Sequence, residues 1–178
     1  KWISYDVPSN SNINLLKNLY PLAFIEYVNK FSKQYNISKY LVLSIMREES
    51  YFHSSIESWA NAFGLMQIIE PTAKDLAKSL KLEYNKEFLF NPEYNIKLGS
   101  KYLSNSSKTF DGLLYKIIPS YNAGVGAVKN WEKMFKDVEF DEFIEEITYD
   151  ETRLYVKRVL NTYFMYNLLY EKKYITLE

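Results

Sequence analysis

At 178 residues, 47% of them hydrophobic and only five each Gly and Pro, the chain is long and apolar enough for one domain with a proper core, which excludes wholesale disorder. Its 22 basic and 22 acidic side chains cancel, so no nucleic-acid partner is expected, and no apolar run approaches the ~18 residues of a membrane span. With no cysteine and a lone histidine, His53, the chain excludes disulfides, thiolate zinc and a histidine-rich metal centre; neither metal nor cofactor is expected.

Residues 1–19 are Asn- and Ser-rich around a few apolar residues and read as an N-terminal extension or a junction to something upstream. Pro21 suits the first turn of a helix, with Phe24, Val28, Phe31 and Tyr35 at 4-3-4 spacing after it. A second helix spans Ser38–Ser50 with Ser38 at the N-cap. Tyr51–Phe63, rich in Ser, Asn and Ala, reads as a loop ending at Gly64. Thr72–Leu80 reads as helix, and Asn91-Pro92 signals a cap and first turn for a helix running to about Ser104. Asp111 is placed to cap a helix that Pro119 limits, and YNAGVGAVKNW is a Gly-interrupted connection into another. Phe140–Ile147 is a short amphipathic piece. Asp150–Lys172 is the clearest helix, with Tyr155, Val159, Thr162, Tyr166 and Leu169 on one face. Strand signals are weak, so the expected architecture is mainly α, many short helices around one core.

The stretch SIMREESYF, Ser44 to Phe52, sets two glutamates side by side. On a helical wheel the apolar set Leu41, Val42, Leu43, Ile45 and Met46 averages to a direction about 15° from Glu49 and roughly 110° from Glu48. Glu49 therefore projects from the buried stripe, and Glu48 from its edge as a surface neighbour. A carboxyl on an apolar face is costly to ionise and holds its proton towards neutrality, the profile of a general acid. Fraying of the helix end, or a neutralising arginine, would remove that profile. Glu151, four residues before Tyr155, falls on the same inward face of the last helix; alternatively it only completes the N-terminal turn. Seventeen tyrosines can stack on sugar rings or simply fill the core.

REESYFHSSIESWANAFGLMQIIEPTA, Arg47 to Ala73, resembles the first signature block of the soluble lytic transglycosylase family, within the goose-type lysozyme-like superfamily. The matching positions are Glu49-Ser50, Ser58, Gly64-Leu65-Met66-Gln67 and Thr72-Ala73. NPEYNIKLGSKYL (Asn91 to Leu103), SYNAGVGAVKNW (Ser120 to Trp131) and ETRLYVKRVL (Glu151 to Leu160) resemble the later blocks, in family order. Four short blocks in order are far more specific than any one of them. The resemblance implies an α+β lysozyme-like fold with a substrate cleft, residues 20–178 forming the catalytic domain.

It also implies a peptidoglycan lytic transglycosylase that cleaves the β-1,4 bond between N-acetylmuramic acid and N-acetylglucosamine and leaves 1,6-anhydro ends. Glu49 would be the single acid/base. Tyr121 would hydrogen-bond its carboxyl, Ser58 and Gln67 would contact N-acetyl and hydroxyl groups, and Glu151 and Tyr155 would line the far wall. Met66 is cleft lining or core, and Asn122 a loop-fixing residue of the cleft; Gly64, Gly124 and Gly126 would permit tight turns. The implied partner is the glycan strand, with an upstream domain or cell-wall proteins as further ones, and the implied location is extracytoplasmic. A hydrolytic muramidase, with Glu57 as its second carboxylate, and a non-catalytic peptidoglycan-binding module are the competing readings. Three departures stand out: Asn61 where the family has Gly, Glu70 where it has a proline that here stands one place later at Pro71, and Val125 for a frequent Pro.

Overall fold

The computed structural model describes residues 10–136 and 138–172. Its organising element is α3 (Lys39–Ser50), in which every residue from Tyr40 to Met46 is buried. A helix apolar on all sides must be wrapped on all sides. The wrapping comes from α2 (Ile25–Tyr35), α5 (Pro92–Thr109) and α9 (Asp150–Glu171). Val28 and Phe31 of α2, Ile96, Leu98 and Leu103 of α5, and Tyr155, Val159 and Tyr166 of α9 share one core cluster with it. Each such side chain contributes about 1.5–3 kcal/mol when removed from water.

The remaining helices are α1 (Asn10–Leu19), α4 (Glu70–Ser79), α6 (Leu114–Ala123), α7 (Val125–Met134) and α8 (Phe140–Glu146), with a 3-10 turn over Lys86–Phe90. The mainly α architecture is thus as the sequence reads, and several boundaries differ. Residues 10–19 of the expected extension form α1, which lies on α9 with Leu16 packed against Met165, Leu168 and Leu169. Tertiary contact rather than propensity holds so short a helix. Pro21 does not start α2, because Phe24 takes a left-handed backbone (φ 53°) directly before it. Asp111 is no cap: it and Gly112 are left-handed (φ 51° and 80°), and Leu113 holds the N-cap position. Pro119 lies inside α6, which runs on to Ala123, and Gly124 at φ 84° makes the joint into α7. Gly126, expected at a turn, is within α7.

The weak strand signal corresponds to a minimal antiparallel hairpin, β1 (Ala62–Phe63) and β2 (Ile68–Ile69), with Ala62 opposite Ile69 and Phe63 opposite Ile68. Gly64-Leu65-Met66-Gln67 makes the turn, and Gly64 sits at φ 73°. A Cβ there would lie 2.2 Å from the Leu89 carbonyl oxygen, so both the dihedral and the space demand glycine. The turn is clamped by Asn95 of α5, fully buried, whose Oδ1 accepts from Met66 N (2.8 Å) and whose Nδ2 donates to Phe63 O (2.9 Å) and Leu89 O (2.8 Å). One amide side chain therefore ties the turn, the 3-10 segment and α5 together.

Removing that clamp strands three buried polar groups, each worth roughly 1 kcal/mol or more. Asn95→Ala is accordingly expected to destabilise the fold by about 3 kcal/mol. Urea denaturation checks this; an unchanged midpoint would show that the turn holds itself.

Candidate active site

Glu49 stands in the last turn of α3, and the backbone bends sharply just beyond that helix. Tyr51 and Phe52 are both left-handed (φ 47° and 65°), an uncommon pair for bulky residues. Ser50 Oγ reaches Leu65 O at 2.7 Å and Met46 O at 3.0 Å, joining the helix end to the hairpin turn. The carboxyl is thereby held between α3, the hairpin and α9.

Tyr155 Oη donates to Glu49 Oε1 at 2.6 Å. Burial pushes the Glu49 carboxyl up to about 7, against the lowering effect of the Tyr155 hydrogen bond and the Arg158 charge; the Glu48 and Glu151 charges act with burial. Burial and the neighbouring carboxylate keep the Tyr155 phenol protonated, so it acts as the donor. Glu49 is the acid that the helical wheel singles out, and it is the carboxyl poised to exchange a proton near neutrality.

The resemblance gives the Glu49 hydrogen bond to Tyr121, and the structure corrects this. Tyr121 Oη donates instead to the Met66 carbonyl at 2.7 Å, its ring set edge-on to Tyr102 at 5.2 Å. From α6 its phenol meets the backbone of the hairpin turn, while Tyr155 on α9 reaches the carboxyl.

Met66 is not cleft lining: its side chain is fully buried against Gly99, where a Cβ would lie 2.2 Å from the sulfur. Glu151 is exposed rather than inward, because its neighbour Thr152, which is buried, takes the inward position in the first turn of α9; its charge still reaches Glu49. Asn122 is exposed, and its Oδ1 accepts from Thr152 Oγ1 at 2.6 Å, linking α6 to α9. Ser58 Oγ accepts from Ala60 N and Ala62 N at 3.2 and 3.1 Å, and Gln67 Nε2 donates to Gly64 O and Ile56 O at 2.8 and 3.3 Å. Both residues brace the loop of the first motif. Asn61 takes the left-handed backbone (φ 54°) that its place in that loop requires.

Glu48 is the largest departure from the sequence reading. Its side chain is only 5% exposed, not a surface neighbour. Oε1 accepts from Arg47 Nη1 at 2.9 Å and Thr162 Oγ1 at 2.7 Å, and Oε2 lies 3.4 Å from Arg158 Nε. Compensation by these groups is what makes its burial tolerable. Glu57 is exposed and lies 3.5 Å from Lys86 Nζ. Among the described residues no cluster of three or more His, Asp or Glu is placed to hold a metal ion, and no helix is long and apolar enough to cross a membrane.

The family model of the transglycosylase SLT domain matches residues 26–144. The chain belongs to that family. It is 37% identical over 155 residues to a Haemophilus influenzae protein of the soluble lytic murein transglycosylase type, covering 86% of this chain and 26% of that one. Among solved structures, an inactive Glu→Gln mutant of the lytic transglycosylase Slt from Pseudomonas aeruginosa superposes with a TM-score of 0.82 at 30% identity, over 90% of this chain and 28% of the other. The 70-kDa soluble lytic transglycosylase in complex with bulgecin A gives a TM-score of 0.86, also at 30% identity, over 92% and 27%. The chain thus spans about a quarter of the length of these relatives. The matched SLT stretch includes Glu48, Glu49 and the hairpin; α9, which supplies Tyr155 and Arg158, lies beyond it.

The raised proton affinity of Glu49 has a consequence for stability. A folded carboxyl at about 7 against an ordinary 4.5 adds stability that is full below 4.5 and lost as pH rises through 7. Glu49→Gln carries no such loss. It is expected to resist urea better than wild type at about pH 8 and no better at about pH 4, the difference opening between. A difference that does not grow with pH would mean that the carboxyl is not held against ionisation.

Proposed function

We infer that the chain is a catalytic domain of a peptidoglycan lytic transglycosylase, cleaving the β-1,4 bond between N-acetylmuramic acid and N-acetylglucosamine with formation of 1,6-anhydro ends. The observation that carries this reading is one carboxyl, Glu49, poised near neutrality by burial and oriented by Tyr155. Protonated Glu49 gives its proton to the bridging oxygen, and the leaving sugar departs as an alcohol. The muramic acid N-acetyl group assists at C1, as in other substrate-assisted glycosidases. The Glu49 carboxylate then takes the proton of the C6 hydroxyl as O6 bonds to C1. No water is consumed, and Glu49 ends protonated as it began.

Hydrolysis would need a second carboxylate to activate water or attack C1. Glu57 is exposed near Lys86, and Glu48 is occupied by two arginines and a threonine. Neither supports a muramidase. Ser58 and Gln67 keep one capacity each for substrate: the Ser58 hydroxyl hydrogen as donor and Gln67 Oε1 as acceptor, matched to the carbonyl and N–H of an acetamido group. Glu151, exposed beside Glu49, suits the cation of a substrate peptide. Such a substrate puts the reaction outside the cytoplasm, at the cell wall, with glycan strands as partner.

Mass spectrometry of products from purified sacculi tests the reading. Wild type is expected to release fragments ending in 1,6-anhydromuramic acid, and Glu49→Gln roughly a hundred- to ten-thousandfold less, the loss of an acid/base function. Reducing ends instead would move the reaction to hydrolysis, and absence of products to a binding module. Above pH ~7 the wild-type rate should fall as Glu49 loses its proton.

A further inference from the structure

Tyr155, Arg158 and Thr162 lie three and four residues apart on α9 and therefore share one face. All three engage the adjacent carboxyls of α3: Tyr155 holds Glu49, while Arg158 and Thr162 hold Glu48. We propose that Glu48 is a positioning residue for the reaction, its buried carboxylate fixing α9 against α3 so that Tyr155 and Arg158 meet Glu49 in register. The inference rests on the reading of Glu49 as the acid and adds a residue that the wheel puts at the surface.

The geometry argues for more than a structural tie. A carboxylate 5% exposed is costly unless compensated, and a neutral side chain of the same shape could still accept the Thr162 hydrogen bond. What only the carboxylate adds is charge, and charge is what Arg47 and Arg158 need. Arg158 is 53% exposed on its side chain, so the Glu48 contact is what anchors its guanidinium over the site. Anchored there, Arg158 opposes the charge that Glu49 acquires once it has protonated the leaving oxygen.

The groups facing Glu49 are Tyr155, Arg158 and Glu151 from α9, Tyr121 from α6 and Glu48 from its own helix. Of these, Glu48 raises its proton affinity and Arg158 lowers it. Because Glu48 holds Arg158 and the α9 face, Glu48→Gln loosens the Arg158 charge and the Tyr155 hydrogen bond, each of which lowers the proton affinity of Glu49 by more than the Glu48 charge raises it, whereas Arg158→Gln removes the cation alone.

Carbon-13 titration of the Glu49 side-chain carboxyl, assigned by its loss in Glu49→Gln, reads this without reference to activity. The midpoint is expected to rise in both Glu48→Gln and Arg158→Gln, whereas the bare loss of a like charge at Glu48 would lower it. The basic limb of the cleavage rate on sacculi should move with it. A midpoint that falls or stays at the wild-type value in Glu48→Gln overturns the proposal; a structural tie alone would lower the rate and leave it still. Should Glu48→Gln fail to fold, Thr162→Val, which loosens the Glu48 contact and changes no charge, decides: a raised midpoint supports the positioning role and an unmoved one overturns it. A raised midpoint with no anhydro product would keep the positioning role and remove the proposed reaction; anhydro product with an unmoved or lowered midpoint would do the reverse.

Discussion

Burial of α3 is the constraint on which the site depends. Seven successive residues, Tyr40 to Met46, are sealed from water, so the helix cannot move relative to its neighbours without exposing core. Its last turn, Arg47-Glu48-Glu49-Ser50, leaves that sealed environment carrying three ionisable groups. Each must find compensation or remain neutral. Glu48 finds two arginines and a threonine. Glu49 has one hydrogen-bonding phenol and the Arg158 charge, together too weak to offset its desolvation, and so its proton affinity rises. The functional difference between two adjacent, chemically identical side chains is thus a difference in their partners.

The hairpin is the second support, and it owes little to its own strands. Two residue pairs could not hold a hairpin in water. Asn95 supplies three hydrogen bonds from α5, Ser50 one from α3 and Tyr121 one from α6, each to backbone atoms of the 63–66 segment or its 3-10 neighbour. The turn is in effect suspended from three helices. Ser58 and Gln67 then use their side chains to shape the loop on either side of it. Such bracing leaves few rotamers to freeze on binding of the proposed glycan substrate, which reduces the entropic cost of binding.

Legibility in the sequence tracked the range of the interactions. Glu49 could be picked out because the apolar residues that bury it are its neighbours on the same helix. The α9 face from Tyr155 to Leu169 was legible for the same reason, and Asn91-Pro92 marked the start of α5, with the Asn91 side chain accepting from Tyr94 N. Glu48 was misplaced because Thr162, the partner that helps bury it, lies 114 residues away. Asn95 passed unnoticed since its role depends on carbonyls of two separate segments. The Glu49 hydrogen bond is read at Tyr121 rather than Tyr155 because a motif names residue types and not which ring reaches which oxygen. Glu151 shows the opposite failure: four residues before Tyr155 it lies at the edge of the inward face, whose place in the first turn is taken by Thr152.

Fixing the acid between two helices also bears on how one carboxyl can serve both halves of the proposed reaction. A group held strongly ionised would have no proton to give, and one held strongly neutral would not take the C6 proton back. Glu49, near 7, lies between these limits. Burial sets the upward push and α9 sets the restraint, through the Tyr155 hydrogen bond and the Arg158 charge. Because both restraints come from the same helix face, any motion of α9 relative to α3 would change the proton affinity and the orientation of the acid together. The pin at Glu48–Thr162 opposes that motion directly, and Asn122–Thr152 fixes the start of α9 to α6. A fold that needs so small an adjustment of one side chain's chemistry therefore commits its longest described helix to holding it.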